Sequence, residues 1–562
     1  MKRIACLAIV FLTSSLMLAN AKSRPFSVVE ATIPEMQHAL KHRQVTSREL
    51  VQQYLSRIEK YNGTLNAVIT VNPHALEEAD ERDRERAKGR IRGPLHGIPV
   101  AIKDNIQTVE MPTTGGALAF RGFVPPYEAT LTRNLREAGA IIMAKTTMTE
   151  LANWIAFGMP GNYNAVAGYG LNPYDSRRDP REGTNDGRPA LNTGGSSSGA
   201  GTAASFWAAN VGTETSGSIL SPANQNMLVG IKPTVGRISR YGIIPITADQ
   251  DTAGPMARSV TDAAILLGIL EGTPDANDPA TTACRRVPKN DYTKFLKRGA
   301  LKGARIGIPR AYFYDPIAAL TSGGDRGGLS PEQAAVMADA IAVLKTRGAV
   351  IVDPADIPSV GSPDPADNFL LWPRCAGPGG AKGRDDGCSM VLKYGMKRDF
   401  NRWLALLGPA APVKTLTELR EWNLAHQAEG AIKYGQAQLD ISDEIDLEAD
   451  RARYEADRAK DIRVSGTNGI DAVMKSQRLD ALLFPSITGF DLAARPGYPT
   501  VVVPFGFVPN SPATPFPDGF GPLPAPFGVS FTGMACSEPK LIALAYAFEQ
   551  ATRRRVPPPL LP

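Results

Sequence analysis

Residues 97–105 read Gly-Ile-Pro-Val-Ala-Ile-Lys-Asp-Asn, an apolar run that ends on a lysine. The apolar core of this run predicts a short buried strand with Lys103 at its end. Leu131, Leu135 and Ala138 then recur on one side of a predicted helix, and a second apolar strand follows at 140–144. This alternation of strand and helix predicts an α/β protein with a largely buried sheet.

Further elements continue the pattern on both sides of this region. Thr46 to Glu49 has the composition of a capping box and predicts a helix that begins there. The remaining predictions are helices at 73–87, 261–270, 443–460 and 541–552, a strand at 479–485, and a long polar surface loop at 158–192. The block at 360–470 has a Gly-rich piece followed by charged helices, and it predicts an insertion or a cover over a site.

The composition is that of a globular protein. The chain has 562 residues and 60.1 kDa, of which 43% are hydrophobic and 21% charged, enough to bury a sizeable core. The net charge is only +6 and the charges are interspersed, which does not favour a nucleic-acid partner. Beyond the first residues no stretch is long and apolar enough to span a membrane.

The first 21 residues have the pattern of a signal peptide. Lys2 and Arg3 precede an apolar stretch, and Ala19-Asn20-Ala21 offers the small-x-small cleavage site. A buried N-terminal helix or a membrane anchor is the alternative, but the stretch is short for a bilayer. We therefore expect a secreted or periplasmic protein, whose net charge falls from +6 to +4 when the two basic residues are removed.

Four cysteines remain after removal of the signal peptide: Cys284, Cys375, Cys388 and Cys536. Export makes disulfides possible, and a bond between Cys375 and Cys388 would close a Gly-rich stretch. Four cysteines allow three connectivities, and the sequence does not choose among them. Nothing around them indicates a lowered thiol pKa, so we expect no catalytic cysteine.

Two small-residue segments carry the candidate chemistry: residues 193–199, Thr-Gly-Gly-Ser-Ser-Ser-Gly, and residues 212–219, Gly-Thr-Glu-Thr-Ser-Gly-Ser-Ile. A flexible linker is disfavoured inside a globular pattern, and a phosphate loop lacks its Lys-Ser/Thr pair. Ser197 also fits the centre of a nucleophile elbow, G-x-S-x-G. That hypothesis needs a downstream histidine as base, and His426 is the only candidate.

A buried lysine can activate a serine where histidine is scarce, because burial makes its neutral form accessible. Lys103 fits this role, since it ends the apolar run at 98–102. The alternative is a lysine at the end of a strand that points into solvent.

Taken together, these segments resemble the amidase signature family. The resemblance rests on several motifs in order and covers most of the chain from about residue 30 to 555. Its matching pieces are residues 97–105, 144–146, 194–197, 212–219, 229–234, 251–270 and 537–541.

The resemblance implies one large α/β domain, a central mixed, twisted sheet covered by helices, and a Ser-cisSer-Lys triad. Lys103 would be the base, Ser196 the bridging serine and Ser218 the nucleophile. The backbone N–H groups of Thr215, Ser216, Gly217 and Ser218 would hold the oxyanion. The family needs no metal and no cofactor, and its substrates are carboxylic amides.

Some residues depart from the family's pattern. Thr147 stands where Asn is common, Leu220 where many members have Arg, and Ser216 in place of Gly or Asp. The segment between Ser196 and Ser218 is about two residues short. Thr213 to Thr215 is more similar to members acting on small or peptide amides than to the tRNA-charging amidotransferase branch.

The sequence predicts an exported serine amidase that acts on a small, aryl or peptide C-terminal amide through a Ser218 acyl-enzyme. Two alternatives stay open: a non-catalytic relative that binds an amide-bearing ligand, and an esterase that uses Ser197 and His426. The sequence indicates neither the particular amide nor an oligomeric state.

Overall fold

The computed structural model describes residues 26–195, 199–319, 324–377 and 387–559. This part of the chain has fifteen strands. Eleven of them form a central sheet that is flanked by helices, and the other four form two separate two-stranded sheets. The strands are β1 (Val68–Val71), β2 (Pro99–Lys103), β3 (Ile141–Thr146), β4 (Tyr163–Asn164), β5 (Gly168–Tyr169), β6 (Ala209–Glu214), β7 (Val229–Lys232), β8 (Thr252–Ala257), β9 (Arg305–Gly307), β10 (Ile317–Ala318), β11 (Asp325–Arg326), β12 (Val350–Val352), β13 (Ala481–Pro485), β14 (Thr500–Val508) and β15 (Ala525–Thr532).

The α-helices follow the same chain order, and a π-helical stretch at Arg463–Ile470 joins α12 to α13. The helices are α1 (Ile33–Lys41), α2 (Ser47–Leu65), α3 (Ala75–Ala87), α4 (Thr130–Glu137), α5 (Ala200–Ala203), α6 (Leu220–Gln225), α7 (Val260–Glu271), α8 (Pro331–Thr346), α9 (Val391–Leu407), α10 (Leu416–Ala425), α11 (Ala437–Asp443), α12 (Arg451–Ile462), α13 (Asp471–Ser476), α14 (Phe490–Ala494) and α15 (Glu538–Thr552).

The large sheet is mixed and has the strand order β1-β3-β2-β6-β8-β7-β14-β15-β13-β9-β12. Strand β2 pairs in parallel with β3 and β6, whereas β6 pairs antiparallel with β8. Strands from the two halves of the chain meet where β7 pairs with β14, with Lys232 opposite Thr500. The predicted single large domain with a central mixed sheet is confirmed.

The segments that decided the fold prediction lie close to where the sequence placed them. The apolar run became β2, with Lys103 as its last residue, and the next helix and strand became α4 and β3. Thr46 caps α2 in a complete capping box with Glu49, because each side chain accepts the other's backbone N–H.

Two local predictions differ from the structure, one of them only in part. The predicted helix at 443–460 begins only at Arg451, because Asp446 accepts the backbone N–H groups of Glu448 and Ala449 and holds a turn there. The polar segment 158–192 is a surface loop only in part. It contains the short strands β4 and β5, and Asn162, Asn164 and Asn172 are buried, whereas Asn185 and Asn192 are exposed. Asn164 donates to the carbonyl of Met148 in the interior.

The block at 360–470 contributes no strand to the eleven-stranded sheet in the residues described. Its helices α9 and α10 instead pack in a second hydrophobic cluster with Phe120, Trp154 and Tyr163 from the first half of the chain. This packing places the block over the segment at 150–163. That the block is an insertion stays a prediction.

The four remaining cysteines form two disulfides, Cys284–Cys536 and Cys375–Cys388. The first joins positions 252 residues apart, and the second closes the Gly-rich stretch as the sequence suggested. Among the residues described, no helix combines the length and the apolar character that a membrane crossing requires.

Candidate active site

Lys103 is buried inside the sheet and contacts the strand that leads to Ser218. Its Nζ donates to the hydroxyl of Thr213 at 2.7 Å and to the carbonyl of the same residue at 3.2 Å. Thr213 lies on β6, and its hydroxyl also accepts from the amide of Asn105 at 3.1 Å. The alternative in which Lys103 points into solvent is therefore wrong.

Burial lowers the pKa of Lys103 from its ordinary value to about 7, because the low-dielectric interior disfavours the ammonium form. The carboxylates of Asp251 and Glu214 act in the opposite sense and favour the charged form. A lysine poised in this way exchanges a proton near neutral pH, which is what a general base requires.

Two further buried lysines show that burial alone does not identify the base. The pKa values of Lys145 and Lys232 are both lowered to about 8 by burial. Lys145 lies 3.7 Å from the carboxylate of Asp104 and donates to the hydroxyl of Thr113 at 2.8 Å. Of these three lysines, only Lys103 donates a hydrogen bond to Thr213, the residue before Glu214 and the loop of Ser218.

Ser218 lies in the tight loop between β6 and α6. The Glu214 carboxylate closes this loop, since one of its oxygens accepts the N–H of Ile219 at 2.7 Å and that of Leu220 at 3.0 Å. Gly217 has φ +93°, a left-handed conformation that favours glycine, and a Cβ there would come within 3.1 Å of the Phe490 ring. The loop is therefore built for small residues.

The Gly/Ser run approaches the same loop. A Cβ added at Gly195 would lie 3.6 Å from Ser218 Oγ, and the carbonyl of Gly195 accepts from the Thr149 hydroxyl at 3.1 Å. Ser196, Ser197 and Ser198 lie outside the described residues. The bridging role of Ser196, the elbow role of Ser197 and the effect of the shortened Ser196–Ser218 segment accordingly stay predictions.

Ser218 borders a cavity of about 530 Å³. Thr215 and Ser216 from the same loop also line it, and Trp154, Phe157 and Phe490 give it an aromatic wall. Three of the four predicted oxyanion donors, those of Thr215, Ser216 and Ser218, therefore lie on residues at the edge of a space that a substrate can enter. Its charged lining residues are Arg374, Asp491 and Arg495.

A charged cluster fixes one wall of this cavity to the loop of Ser218. Asp491 accepts from the hydroxyl of Ser216 at 2.9 Å and from two nitrogens of Arg495 at 2.9 and 3.3 Å. Arg495 also donates to Asp461 at 3.1 Å. Arg374 and Arg495 hold the pKa of Asp491 well below its usual range despite burial.

A second cavity, of about 220 Å³, shares Ala152, Thr215 and Ile246 with the first. Asp251 lines it and accepts from the Thr215 hydroxyl at 2.5 Å and from the backbone N–H of Ile246 at 2.8 Å. Burial raises the pKa of Asp251 to about 7. Asp251 thus orients a residue of the Ser218 loop and places a carboxylate near Lys103.

The pH dependence of activity should report this arrangement. If neutral Lys103 is the base, kcat/KM rises with pH as the ammonium loses its proton, near its pKa of about 7, and then levels off. Asp251→Asn removes a carboxylate that favours the ammonium, so the rising limb should move to lower pH. A pH series of kcat/KM measures this shift. Asp262→Asn, which removes a buried carboxylate hydrogen-bonded to Ile33, is the matched control, and a limb that stays or moves to higher pH contradicts the assignment.

The histidine-dependent alternative finds no support in the geometry. His426 caps the end of α10, stacks on Trp422 at 3.8 Å and donates to the Trp422 carbonyl through Nδ1 at 2.8 Å. None of the five histidines, all of which belong to the described residues, lines the cavity of Ser218.

The structure also brings to the site residues to which the sequence analysis gave no role: Asn105, Thr213, Glu214, Asp251, Arg374, Asp491 and Arg495. Glu214 gave a usable signal, since a carboxylate six residues before the first residue of a helix can accept the N–H groups at the helix start. Arg374 and Asp491 gave none, because their position depends on contacts more than 100 residues apart in sequence.

The fold is that of an amidase. The chain matches the amidase family over residues 49–541 and belongs to it. It is an amidohydrolase that acts on amides.

Individual relatives agree in length with the chain. It is 33% identical to a probable amidase of Arabidopsis thaliana, covering 95% of this chain and 93% of the relative. It is similar to the crystal structure of native peptide amidase from Stenotrophomonas maltophilia, with 36% identity, a TM-score of 0.77 and coverage of 95% and 99%. It is also 31% identical to one component of the glutamyl-tRNA(Gln) amidotransferase of Moorella thermoacetica, covering 93% and 98%.

Proposed function

We propose that the protein is an exported serine amidase that hydrolyses a linear carboxylic amide to an acid and ammonia or an amine. The observation that carries this proposal is the buried Lys103, hydrogen-bonded to the strand that leads into the Ser218 loop at the edge of a 530 Å³ cavity. A small, aryl or peptide C-terminal amide fits a cavity of this size and aromatic lining.

The proposed reaction moves one proton through the triad in each direction. Neutral Lys103 accepts the proton of Ser196, which takes the proton of Ser218 as Ser218 Oγ bonds to the amide carbonyl carbon. The carbonyl oxygen becomes the oxyanion, held by the N–H groups of residues 215–218. The C–N bond breaks as the proton returns to the leaving nitrogen. Water then hydrolyses the acyl-enzyme by the same route and restores Ser218.

Three polar contacts of the loop support this role for Ser218. Glu214 closes the loop, Asp251 holds Thr215, and Asp491 holds Ser216, so each flanking residue is oriented before substrate arrives. Preorganised donors stabilise charge without rearranging in the transition state, and one such donor contributes about 3–4 kcal/mol in other enzymes.

Labelling with a fluorophosphonate tests the nucleophile, since the probe reacts covalently with an activated serine. We expect one adduct per chain, located on Ser218 by peptide mass spectrometry, and no label on the Ser218→Ala variant. An adduct on Ser197 would support the elbow hypothesis instead. Ligand binding with neither turnover nor labelling would support the non-catalytic relative.

Export is the second part of the proposal. The N-terminal pattern at 1–21 and the two disulfides support it, because disulfides persist mainly in oxidising compartments. An exported enzyme would not meet the cytoplasmic tRNA substrates of the amidotransferase branch. N-terminal sequencing of the protein from the secreted or periplasmic fraction should find Lys22 first, and an intact residue 1 in the cytoplasm would overturn export.

A further inference from the structure

Arg374 is the charged residue of the cavity whose hydrogen-bonding capacity is least used. Its Nε lies 3.5 Å from an oxygen of Asp491, and 34% of its side chain is exposed. A guanidinium has five N–H donors, of which Nε carries one. Within 26–195, 199–319, 324–377 and 387–559, no residue accepts from its terminal nitrogens.

The backbone on both sides of Arg374 is clamped. Cys375 is bonded to Cys388, its N–H donates to the carbonyl of Ser389 at 2.9 Å, and the N–H of Ser389 donates to the carbonyl of Pro373 at 2.8 Å. A side chain on a backbone held in this way loses less entropy when a ligand orders it. Arg374 is therefore presented to the cavity from a fixed base.

Arg495 also binds Asp491, with two of its nitrogens on one carboxylate oxygen, so Arg374 shares the neutralisation of this carboxylate with Arg495. The charged cluster carries two positive and two negative charges, on Arg374, Arg495, Asp491 and Asp461. The cluster is neutral overall, and a carboxylate near Asp491 would be repelled. A neutral carbonyl oxygen is the acceptor that suits the terminal N–H groups of Arg374.

Arg374 is connected to the loop of Ser218 through Asp491. Ser216, two residues before Ser218, contacts Asp491 at 2.9 Å, and Asp491 lies 3.5 Å from Arg374. Arg374 and Ser218 line the same cavity, so one bound ligand can contact both residues. An acyl chain that occupies this cavity would place a second carbonyl on the side of Arg374.

We propose that Arg374 is a specificity-determining residue that donates to a second carbonyl in the acyl part of the substrate. The protein then prefers amides of N-acylated amino acids and of peptide C-termini over amides of simple alkyl or aryl acids. The inference rests on the proposed function and narrows its substrate class.

The test compares N-acetylphenylalaninamide, which has the second carbonyl, with 3-phenylpropanamide, which lacks it. Arg374→Ala should lower kcat/KM about 10- to 100-fold for the first amide, because a hydrogen bond to a charged donor is lost. It should lower kcat/KM for the second amide by a smaller factor, because any effect through Asp491 and Ser216 acts on both amides alike. Arg374→Lys should restore part of the loss, and Arg121→Ala, an exposed arginine that lines neither cavity, should change neither value.

A second variant tests the role of Arg374 without replacing Arg374. The Cys375→Ser/Cys388→Ser double variant frees the backbone that presents Arg374, so it should raise KM for N-acetylphenylalaninamide and leave 3-phenylpropanamide unchanged. An equal loss on both amides, or no loss on either, overturns the role of Arg374. Succinamic acid, which has a carboxylate in place of the carbonyl, should be a poor substrate, and preference for it also overturns the role. If wild type hydrolyses no amide at all, the proposed function fails instead.

Discussion

Ser218→Ala is expected to lower kcat by about 10⁴- to 10⁶-fold, the scale of loss when a serine hydrolase loses its nucleophile. Alanine leaves no oxygen to form the acyl-enzyme, while the loop keeps its shape because Glu214 still holds the N–H groups of Ile219 and Leu220. Steady-state hydrolysis of N-acetylphenylalaninamide, with ammonia measured directly, gives the result. The variant should still bind the substrate. Its KM can be compared with that of the wild type where residual turnover is measurable.

Ser197→Ala is the matched control for this prediction, since it removes a serine of the Gly/Ser run that the triad does not use. Its kcat should stay near that of the wild type. The reverse pattern, with Ser197→Ala inactive and Ser218→Ala active, would transfer the nucleophile to the elbow. His426→Ala should then be inactive as well, whereas the Ser218 mechanism predicts an active enzyme.

Lys103→Ala is the second large effect, with an expected loss of about 10⁴-fold or more in kcat/KM. The variant removes the group that accepts the proton and leaves the Thr213 hydroxyl and carbonyl without their Nζ donor. Thermal unfolding monitored by circular dichroism shows whether the fold survives. Loss of activity with a retained cooperative transition assigns the effect to chemistry.

Lys103→Arg separates the proton-accepting role from the charge. Arginine keeps a cation and hydrogen-bond donors but stays protonated at all accessible pH values, so it cannot act as a base. We expect it to be as inactive as the alanine variant. Substantial turnover by Lys103→Arg would show that the site needs a positive charge and not a base.

The sequence predicted the parts of the fold and site that depend on local patterns. The apolar run before Lys103, the capping box at Thr46 and the small residues around Ser218 each carry their structural consequence in neighbouring residues. The first half of the 158–192 segment was misjudged, because buried asparagines such as Asn164 have the same polarity as loop residues. Polarity predicts exposure only where no buried backbone group needs a partner.

The cavity wall could not be predicted in the same way. Arg374, Asp491 and Arg495 come from a loop and a short helix that the fold alone brings to the Ser216 side of the site. The choice of Lys103 as the base could not be predicted from burial either, because Lys145 and Lys232 are also buried. The strand pattern predicts that a lysine is buried, but it does not predict which residue on the neighbouring strand the lysine contacts.

The Cys284–Cys536 disulfide has a consequence for the chain after limited proteolysis. It joins the segment after α7 to the turn before α15, so every residue from 285 to 535 lies within one covalent ring. A single cut inside that ring, for instance in the exposed Pro-rich stretch near residue 515, leaves the fragment with Ser218 bonded to the fragment that ends beyond α15. Nicked molecules should therefore migrate as one species until a reductant is added, and only then separate into two pieces.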